Sequence, residues 1–267
     1  MKVSVITPSY NQGEFIERTL ASVAAQSGCE IEHVVFDGGS TDATVAVLER
    51  FAPPVRWVSR KDKGQADAVN QGILATDGEV IAWLNSDDVY YPGTLARVVA
   101  FLDKNADVDV VYGMADHIDS GDRVLGSYPT APWNYEHLKK ESFICQPAAF
   151  IRRRVIEKYG VLDESLHYCM DYEYWLRLGK SGARFAYLEE KLAGSRLHAD
   201  TKTLGARVQV HEEINGMLKR TLGSVPRGWI INYAFAQVDA AHGAGQSTLA
   251  RRMRAIPAVI GAFRRWR

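Results

Sequence analysis

Residues 81–93, IAWLNSDDVYYPG, carry an apolar run straight into Asn85, Ser86, Asp87 and Asp88. Adjacent carboxylates repel each other, and a plain turn needs less charge, so the pair is either a solvated turn or a holder for a cation. Mg²⁺ and Mn²⁺ prefer oxygen ligands, keep several waters, and are typically held by one or two carboxylates together with substrate phosphates. One Asp-Asp pair is therefore enough when a diphosphate supplies the rest, and on this pair alone both readings stand. Three other apolar runs also end in polar groups: Thr7-Pro8-Ser9-Tyr10-Asn11, Asp37-Gly38-Gly39-Ser40-Thr41-Asp42 and Lys61-Asp62-Lys63-Gly64-Gln65. Asp37 is suited to accept hydrogen bonds from a ribose or a base N–H, and Gly38-Gly39 to let a ring approach the backbone. An Asp/Gly turn feeding a capped helix accounts for the same residues.

The elements that must position these groups alternate in type. KVSVIT, EIEHVVFDGG, VRWVS and EVIAWLN read as strands, and EFIERTLASVAAQ, DATVAVLERF, QADAVNQGILAT and PGTLARVVAFLDKN as helices. Ser40 or Thr41 is placed to cap the second helix, and Pro92 lies near the start of the fourth. Such alternation predicts βαβ units in a doubly wound, mostly parallel α/β sheet, whose ligands bind beyond the carboxyl ends of the strands. Four strands with polar ends predict one crevice on which acids converge. Neither GxGxxG after the first strand nor GxxxxGK[ST] anywhere is present, which removes the main support for dinucleotide and P-loop sites. Beyond residue 112 the rhythm changes. A strand runs into a hairpin around Ser120-Gly121-Asp122, QPAAFIRR and RFAYLEEKLAGSRLH read as strands, and helices are expected at RRVIEKYG and DYEYWLRLGKSG. From about residue 206 the pattern is helical, with breaks at Pro226 and Gly243-Ala244-Gly245.

A chain of 267 residues with 46% hydrophobic residues has ample material for a core and is not a disordered segment. Its 32 basic and 32 acidic residues give no electrostatic case for nucleic acid. Cys29, Cys145 and Cys169 are odd in number, far apart and form no CxxC pair, which argues against a disulfide framework and a zinc site. The N-terminus lacks the apolar core of a signal peptide, and no stretch approaches the roughly 20 apolar residues of a membrane span. A cytoplasmic location is expected.

VITPSYNQGEFIERTLASVAAQ, DGGSTDAT, KDKGQADAVNQGI, WLNSDD, QPAAFIRR, LDESLHYCMDYEYWLRL and RLH, in this order, resemble the nucleotide-sugar-dependent glycosyltransferases of family 2, which have the GT-A fold. The resemblance covers about residues 1–200. It implies a catalytic domain over 1–205, with a nucleotide-sugar half to about 112 and an acceptor half over 113–205, followed by a helical region at 206–267. It implies that Thr7, Pro8, Ser9, Tyr10, Asp37, Gly38, Asp62 and Gln65 line the nucleotide pocket, Tyr10 against the base. Asp67 and Asn70 would face the ribose or diphosphate region. In the DxD-like NSDD, Asn85, Ser86 and Asp87 would meet the ribose or donor sugar, and Asp88 would ligate Mn²⁺ or Mg²⁺. Asn85 stands where the motif often begins with Asp, so the charge of that first position is missing. His198 falls where relatives often place a His against the metal or diphosphate, although a lone His is also commonly structural. Gln146 would meet the donor sugar or the acceptor.

The resemblance also implies inversion at the anomeric carbon, with a base near MDYEYW. Relatives often carry Glu-Asp there; Met170 replaces the Glu, and Asp171 keeps the second place. At the start of a helix Asp171 lies in the positive end of the dipole, which favours the carboxylate a base requires. A first-turn Asp above packed Trp175 and Leu178 is the plainer account of the same position, and Glu173 is the fallback base. The donor implied is a nucleoside diphosphate sugar, UDP foremost, and the acceptor a saccharide or lipid-linked saccharide of bacterial polysaccharide or glycoconjugate synthesis. A sugar-phosphate nucleotidyltransferase shares such a crevice, but needs a basic Gly-rich loop that TPSYNQGEF lacks. A nucleotide-sugar-binding protein without catalysis is the third reading.

After Asp239 no acid occurs, whereas Arg251, Arg252, Arg254, Arg264, Arg265 and Arg267 do. Leu249, Met253, Ile256, Ile260 and Phe263 fall on one helical stripe interrupted by Pro257. A basic amphipathic segment over 246–267 reads as a membrane-surface element, which would make the enzyme peripheral at the inner face of the cell membrane. A helix packed on the catalytic domain or across a homo-oligomer is the alternative.

Overall fold

A computed structural model describes residues 1–198, 205–243 and 248–266, with the side chains of 248–250 left aside. Nine strands form one sheet: β1 (Lys2–Ser9), β2 (Glu30–Asp37), β3 (Arg56–Ser59), β4 (Val80–Trp83), β5 (Val89–Tyr90), β6 (Val110–Ile118), β7 (Val124–Ser127), β8 (Ala149–Arg152) and β9 (Phe185–Arg196). The helices are α1 (Ile16–Ala24), α2 (Thr44–Phe51), α3 (Gln65–Leu74), α4 (Thr94–Lys104), α5 (Tyr135–Leu138), α6 (Arg153–Tyr159), α7 (Met170–Lys180), α8 (Arg207–Leu222), α9 (Arg227–His242) and α10 (Thr248–Trp266).

The sheet runs β3-β2-β1-β4-β8-β6-β9-β5, with β7 paired to β6. The first four strands are mutually parallel, as expected of βαβ units, and their registers set Ser9 beside Asp37 and Asp37 beside Ser59. Their carboxyl ends therefore share one rim. β8 enters antiparallel between β4 and β6, and β9 runs parallel to β6. β1 and β4 are buried almost throughout because both faces of the sheet are covered. Ile6, Ile81, Trp83, Val110 and Tyr112 pack to one side with α3, α7, α8 and α9. The alternate residues Val3, Val5, Val80, Ala82 and Val111 pack to the other with α4. Each large side chain so buried contributes about 1.5–3 kcal/mol, which holds the rim rigid.

Two local expectations change. Neither Ser40 nor Thr41 caps α2: Asp42 Oδ1 accepts the Thr44 N–H at 2.9 Å instead. Ser40 Oγ accepts the Asn11 N–H at 2.7 Å, and Asn11 Oδ1 accepts the Thr41 N–H at 2.9 Å, so both residues join the loops after β1 and β2. Asn11 takes a left-handed φ of 51° to do so. In the C-terminal region Pro226 precedes α9 and Gly243 ends it, while Ala244, Gly245, Gln246, Ser247 and Arg267 lie outside the described residues.

Three residues of the stripe expected on the last helix turn outward, Phe263 packs inward, and the side chain of Leu249 lies outside those described. Met253, Ile256 and Ile260 are 64%, 61% and 50% exposed, whereas Ala255, Ala262 and Trp266 face the core, with Phe263 half-buried beside them. Arg251 binds Asp239 at 2.7 and 2.6 Å, and Arg265 pairs with Glu212, so α10 is fastened through two of its arginines. No described helix is long and apolar enough to cross a membrane.

Candidate active site

The polar ends of the first four strands open into a cleft of about 1050 Å³, closed on the far side by Tyr128, Cys145, Gln146, His167, Tyr168 and Asp171. Pro8, Ser9, Tyr10, Gly38, Asp62, Gln65, Asn85, Ser86, Asp87, Asp88, Gln146 and Asp171 all lie on its wall. Tyr10 stands at the mouth, 62% exposed. Gly38 gives way to Asp62 and not to open space: a Cβ there would meet Asp62 Oδ2 at 3.0 Å.

The polar atoms of four other expected residues engage the loops behind the wall. Thr7 is buried, with Oγ1 3.0 Å from His33 Nε2, whose pKa burial lowers to about 4. Asp37 is buried and takes the N–H groups of Gly39 and Ser40 and the hydroxyls of Ser40 and Ser59. Asp67 accepts the Lys63 N–H at 3.0 Å. Asn70 exchanges two hydrogen bonds with the Leu162 backbone, at 3.0 Å each, and donates to Glu164. These side chains set the shape of the wall from below. Glu173 is no alternative base, since it is buried in an ion pair with Arg177 at 2.9 Å.

The acidic loop after β4 is held from three directions. Thr19 Oγ1 on α1 lies 2.9 and 2.8 Å from the carbonyl oxygens of Ser86 and Asp88. Asn85 Oδ1 accepts from Gln65 Nε2 at 2.7 Å and from Trp83 Nε1 at 2.8 Å, while its amide nitrogen lies 3.4 Å from Asp88 Oδ2. An Asp at position 85 would set a third carboxylate there, whereas Asn supplies a donor. From β9, the Arg196 N–H donates to Asp88 Oδ1 at 2.8 Å and Arg196 Nε to the Asp87 carbonyl at 2.6 Å. The Arg196 guanidinium is enclosed. It also binds the Asp119 carbonyl and Asp122, and lies 5.2 Å from the Phe15 ring. Only its place in RLH marked this residue in the sequence.

Asp88 is buried, and burial followed by the neighbouring charge of Asp87 raises its pKa well above the usual carboxylate range. His198 Nε2 sits 3.0 Å from Asp87 Oδ2 and its ring 4.6 Å from Phe15. Among the described residues, no group of three or more His, Cys, Asp and Glu side chains could hold a metal by itself. The donor set nevertheless fits a hard divalent cation completed by substrate phosphates: two adjacent carboxylates, an imidazole against one of them, and repulsion that a cation relieves. His198 reaches this donor set through Asp87.

Asp171 faces the same cleft from the first turn of α7. Met170, Tyr172, Trp175 and Leu178 are buried and fasten this helix to the core. Part of Asp171 is open to the cleft, but its carboxyl is closely surrounded, and burial raises its pKa to about 6. The N–H groups of Tyr172 and Asp171 oppose that shift, and the charge of Glu213 adds to it. Gln146 Nε2 donates to the Trp83 carbonyl at 2.5 Å, leaving Oε1 buried on the cleft wall with no partner among the described residues. The loop before α7 is fastened by Glu213 of α8, a residue that no motif indicated.

Residues 4–160 match the family described as "Glycosyl transferase family 2". An uncharacterised glycosyltransferase of Rickettsia prowazekii (strain Madrid E) is 30% identical over 82% of this chain and 72% of its own length. A protein named "PGL/p-HBAD biosynthesis glycosyltransferase", from Mycobacterium bovis (strain BCG / Pasteur 1173P2), is 31% identical over 65% of this chain and 68% of its own. Among solved structures, S. aureus TarS in complex with UDP-GlcNAc superposes with a TM-score of 0.67 at 20% identity, over 98% of this chain and 81% of that one. The mannosyltransferase PcManGT from Pyrobaculum calidifontis, in complex with GDP-Man and Mn²⁺, gives 0.66 at 18% identity, over 98% and 86%. The fold is GT-A.

Proposed function

The chain belongs to glycosyl transferase family 2, and we propose that it transfers a hexosyl or N-acetylhexosaminyl group, with inversion, from a nucleoside diphosphate sugar to a hydroxyl. UDP is the favoured nucleotide. The acceptor is a saccharide or lipid-linked saccharide in bacterial polysaccharide or glycoconjugate synthesis. The observation that carries this reading is the placement of Asp171, at a helix N-terminus across one cleft from Asp87, Asp88 and His198.

In this reading Tyr10 and the loop at Gly38 and Asp62 receive the nucleoside, and Asp87 meets the ribose or donor sugar. Buried Gln146 Oε1 accepts a hydrogen bond from a sugar hydroxyl. Asp88 and His198 hold Mn²⁺ or Mg²⁺, which when bound neutralises charge on the departing diphosphate. Asp171 takes the acceptor hydroxyl proton while that oxygen bonds to the anomeric carbon from the face opposite the leaving group. The bond from the anomeric carbon to the diphosphate oxygen breaks, and its electron pair leaves with the nucleoside diphosphate. A pKa of about 6 suits a general base, because the carboxylate is ionised at neutral pH yet more basic than an exposed Asp. The family match removes the nucleotidyltransferase reading.

The test is a screen of UDP-, GDP- and dTDP-sugars with Mn²⁺ or Mg²⁺, following nucleoside diphosphate release and the anomeric configuration of the product. Release with inversion supports the proposal; a retained configuration, or no release with any donor, rejects it. The peripheral location has its own support in α10, where Met253, Ile256 and Ile260 face outward beside exposed Arg252 and Arg264. That face is suited to an anionic lipid surface. Co-sedimentation with anionic vesicles should fall when the three apolar residues become Ser, and unchanged sedimentation rejects this part.

A further inference from the structure

Outside the cleft, one carboxylate is bound in a way that its own helix does not require. Glu213 lies in the middle of α8 and points at the loop before α7. Its Oε1 accepts the N–H groups of Tyr168 and Cys169 at 2.7 and 2.9 Å, and its Oε2 accepts the His167 N–H at 2.8 Å. Three successive backbone N–H groups aimed at one anion form a concave anion site, and here the protein fills that site with its own side chain. The loop has functional neighbours on both sides. His167 and Tyr168 line the cleft, and Met170 and Asp171 follow as the first two residues of α7.

The two helices are also joined below the clamp. Val210, Ile214, Met217 and Leu218 of α8 share a buried cluster with Met170, Tyr172 and Trp175 of α7. Packing therefore fixes the helix axes, while Glu213 fixes the loop that decides how the first turn of α7 meets the cleft. A helix N-terminus ordinarily finds its cap within a few residues of itself. The residue preceding α7 is Cys169, which makes no side-chain cap bond.

We propose that Glu213 is the positioning residue for Asp171: it clamps the backbone of residues 167–169 so that α7 presents the Asp171 carboxyl to the acceptor hydroxyl. The inference rests on the reading of Asp171 as base. It also gives the C-terminal helices a place in the chemistry of the strand-end cleft. The ionisable groups facing Asp171 are Glu213 from α8, Cys169 beside it, and Tyr128 and Cys145 across the cleft. Burial raises the pKa of both thiols and of the phenol, and the Coulombic effect of Glu213 adds to the rise at Asp171.

Three measurements on the full chain test the clamp: kcat and donor KM, the pH profile, and amide exchange at Tyr168 and Cys169. Glu213→Ala should speed exchange at those amides and lower kcat by about 100-fold, the cost of a misplaced catalytic group, with donor KM little changed. Glu213→Gln keeps an acceptor for the two Oε1 bonds and removes the charge. It should fold if the Ala variant does not, lose less turnover, and shift its acidic limb to lower pH. Wild-type exchange in Glu213→Ala overturns the proposal, and so does faster exchange with wild-type kcat. An unmoved acidic limb in Glu213→Gln counts against it as well. Turnover surviving in Asp171→Asn is a different failure, of the base assignment, and is read from that variant while exchange in Glu213→Ala still reports the clamp.

Discussion

Asp88 and Asp171 are enclosed carboxylates on the wall of one cleft, and burial is the first cause of the raised pKa in both. Their partners separate them. Asp88 is gripped by the Arg196 N–H, has the Asn85 amide beside its other oxygen, and carries Asp87 as a charged neighbour. Asp171 is contacted by the amides of its own helical turn, and among the described residues no side chain donates to it. A gripped carboxylate next to another is suited to holding a cation in a fixed place. An ungripped one at a helix N-terminus is suited to gaining and losing a proton. Burial alone would have assigned the two acids the same duty, so it is the hydrogen-bond inventory that divides them.

The sharpest way to break this comparison is to neutralise each acid in turn. Asp171→Asn should lower turnover by about 10³-fold or more, within the range attributed to general bases, while metal-dependent donor binding persists. Because burial raises the Asp171 pKa, ionising it costs folding stability: that stability is intact below the unfolded value and is lost as pH rises through about 6. The Asn variant should therefore melt higher than wild type above pH 6, which thermal denaturation on either side of that pH checks. Asp88→Ala should lower turnover by about 100-fold and, unlike Asp171→Asn, abolish the dependence of donor binding on Mn²⁺. Titration calorimetry with and without metal separates the two variants.

A smaller effect comes from the residue that grips one acid and not the other. Arg196→Lys loses the forked contacts to the Asp87 and Asp119 carbonyls and to Asp122. Asp122 is itself open to solvent, so the loss is that of hydrogen bonds to a charged group, about 1.5–3 kcal/mol, and retention of a cation at 196 should place this variant at or below the low end, measured by denaturant unfolding. Donor KM should rise and the acidic limb stay in place, because Arg196 contacts the Asp88 side of the cleft. The smallest effect on chemistry is expected for Met253, Ile256 and Ile260 changed to Ser. Turnover with a soluble acceptor should match wild type within about 2-fold, as surface changes usually do.

The strand ends and their acids were legible in the sequence because short β-branched runs alternate with helical patterns, and the polar residues that follow each parallel strand must lie at the sheet rim. Glu213 was not legible, since the loop it clamps lies far away in the chain and its own helix shows only an ordinary amphipathic pattern. Arg196 was visible as part of RLH, but its reach to Asp87 and Asp122 depends on the antiparallel insertion of β8 that brings β9 beside the cleft. Thr7, Asp37, Asp67 and Asn70 were placed in the pocket by the family resemblance, and their polar atoms engage neighbouring groups of the protein. On α10 the apolar spacing alone did not show which residues pack: Ala255, Ala262 and Trp266 face the core with Phe263, while Met253, Ile256 and Ile260 face outward. Periodicity identifies a stripe without saying which stripe packs.

The most direct test of the account is the pH dependence of kcat/KM, which reports the ionisation of groups essential in the free enzyme. Asp171 as base predicts an acidic limb with an apparent pKa of about 6, activity falling about tenfold per unit below it, and no such limb in the residual activity of Asp171→Asn. A wild-type profile that stays flat through that range, or the same limb in Asp171→Asn, would contradict it.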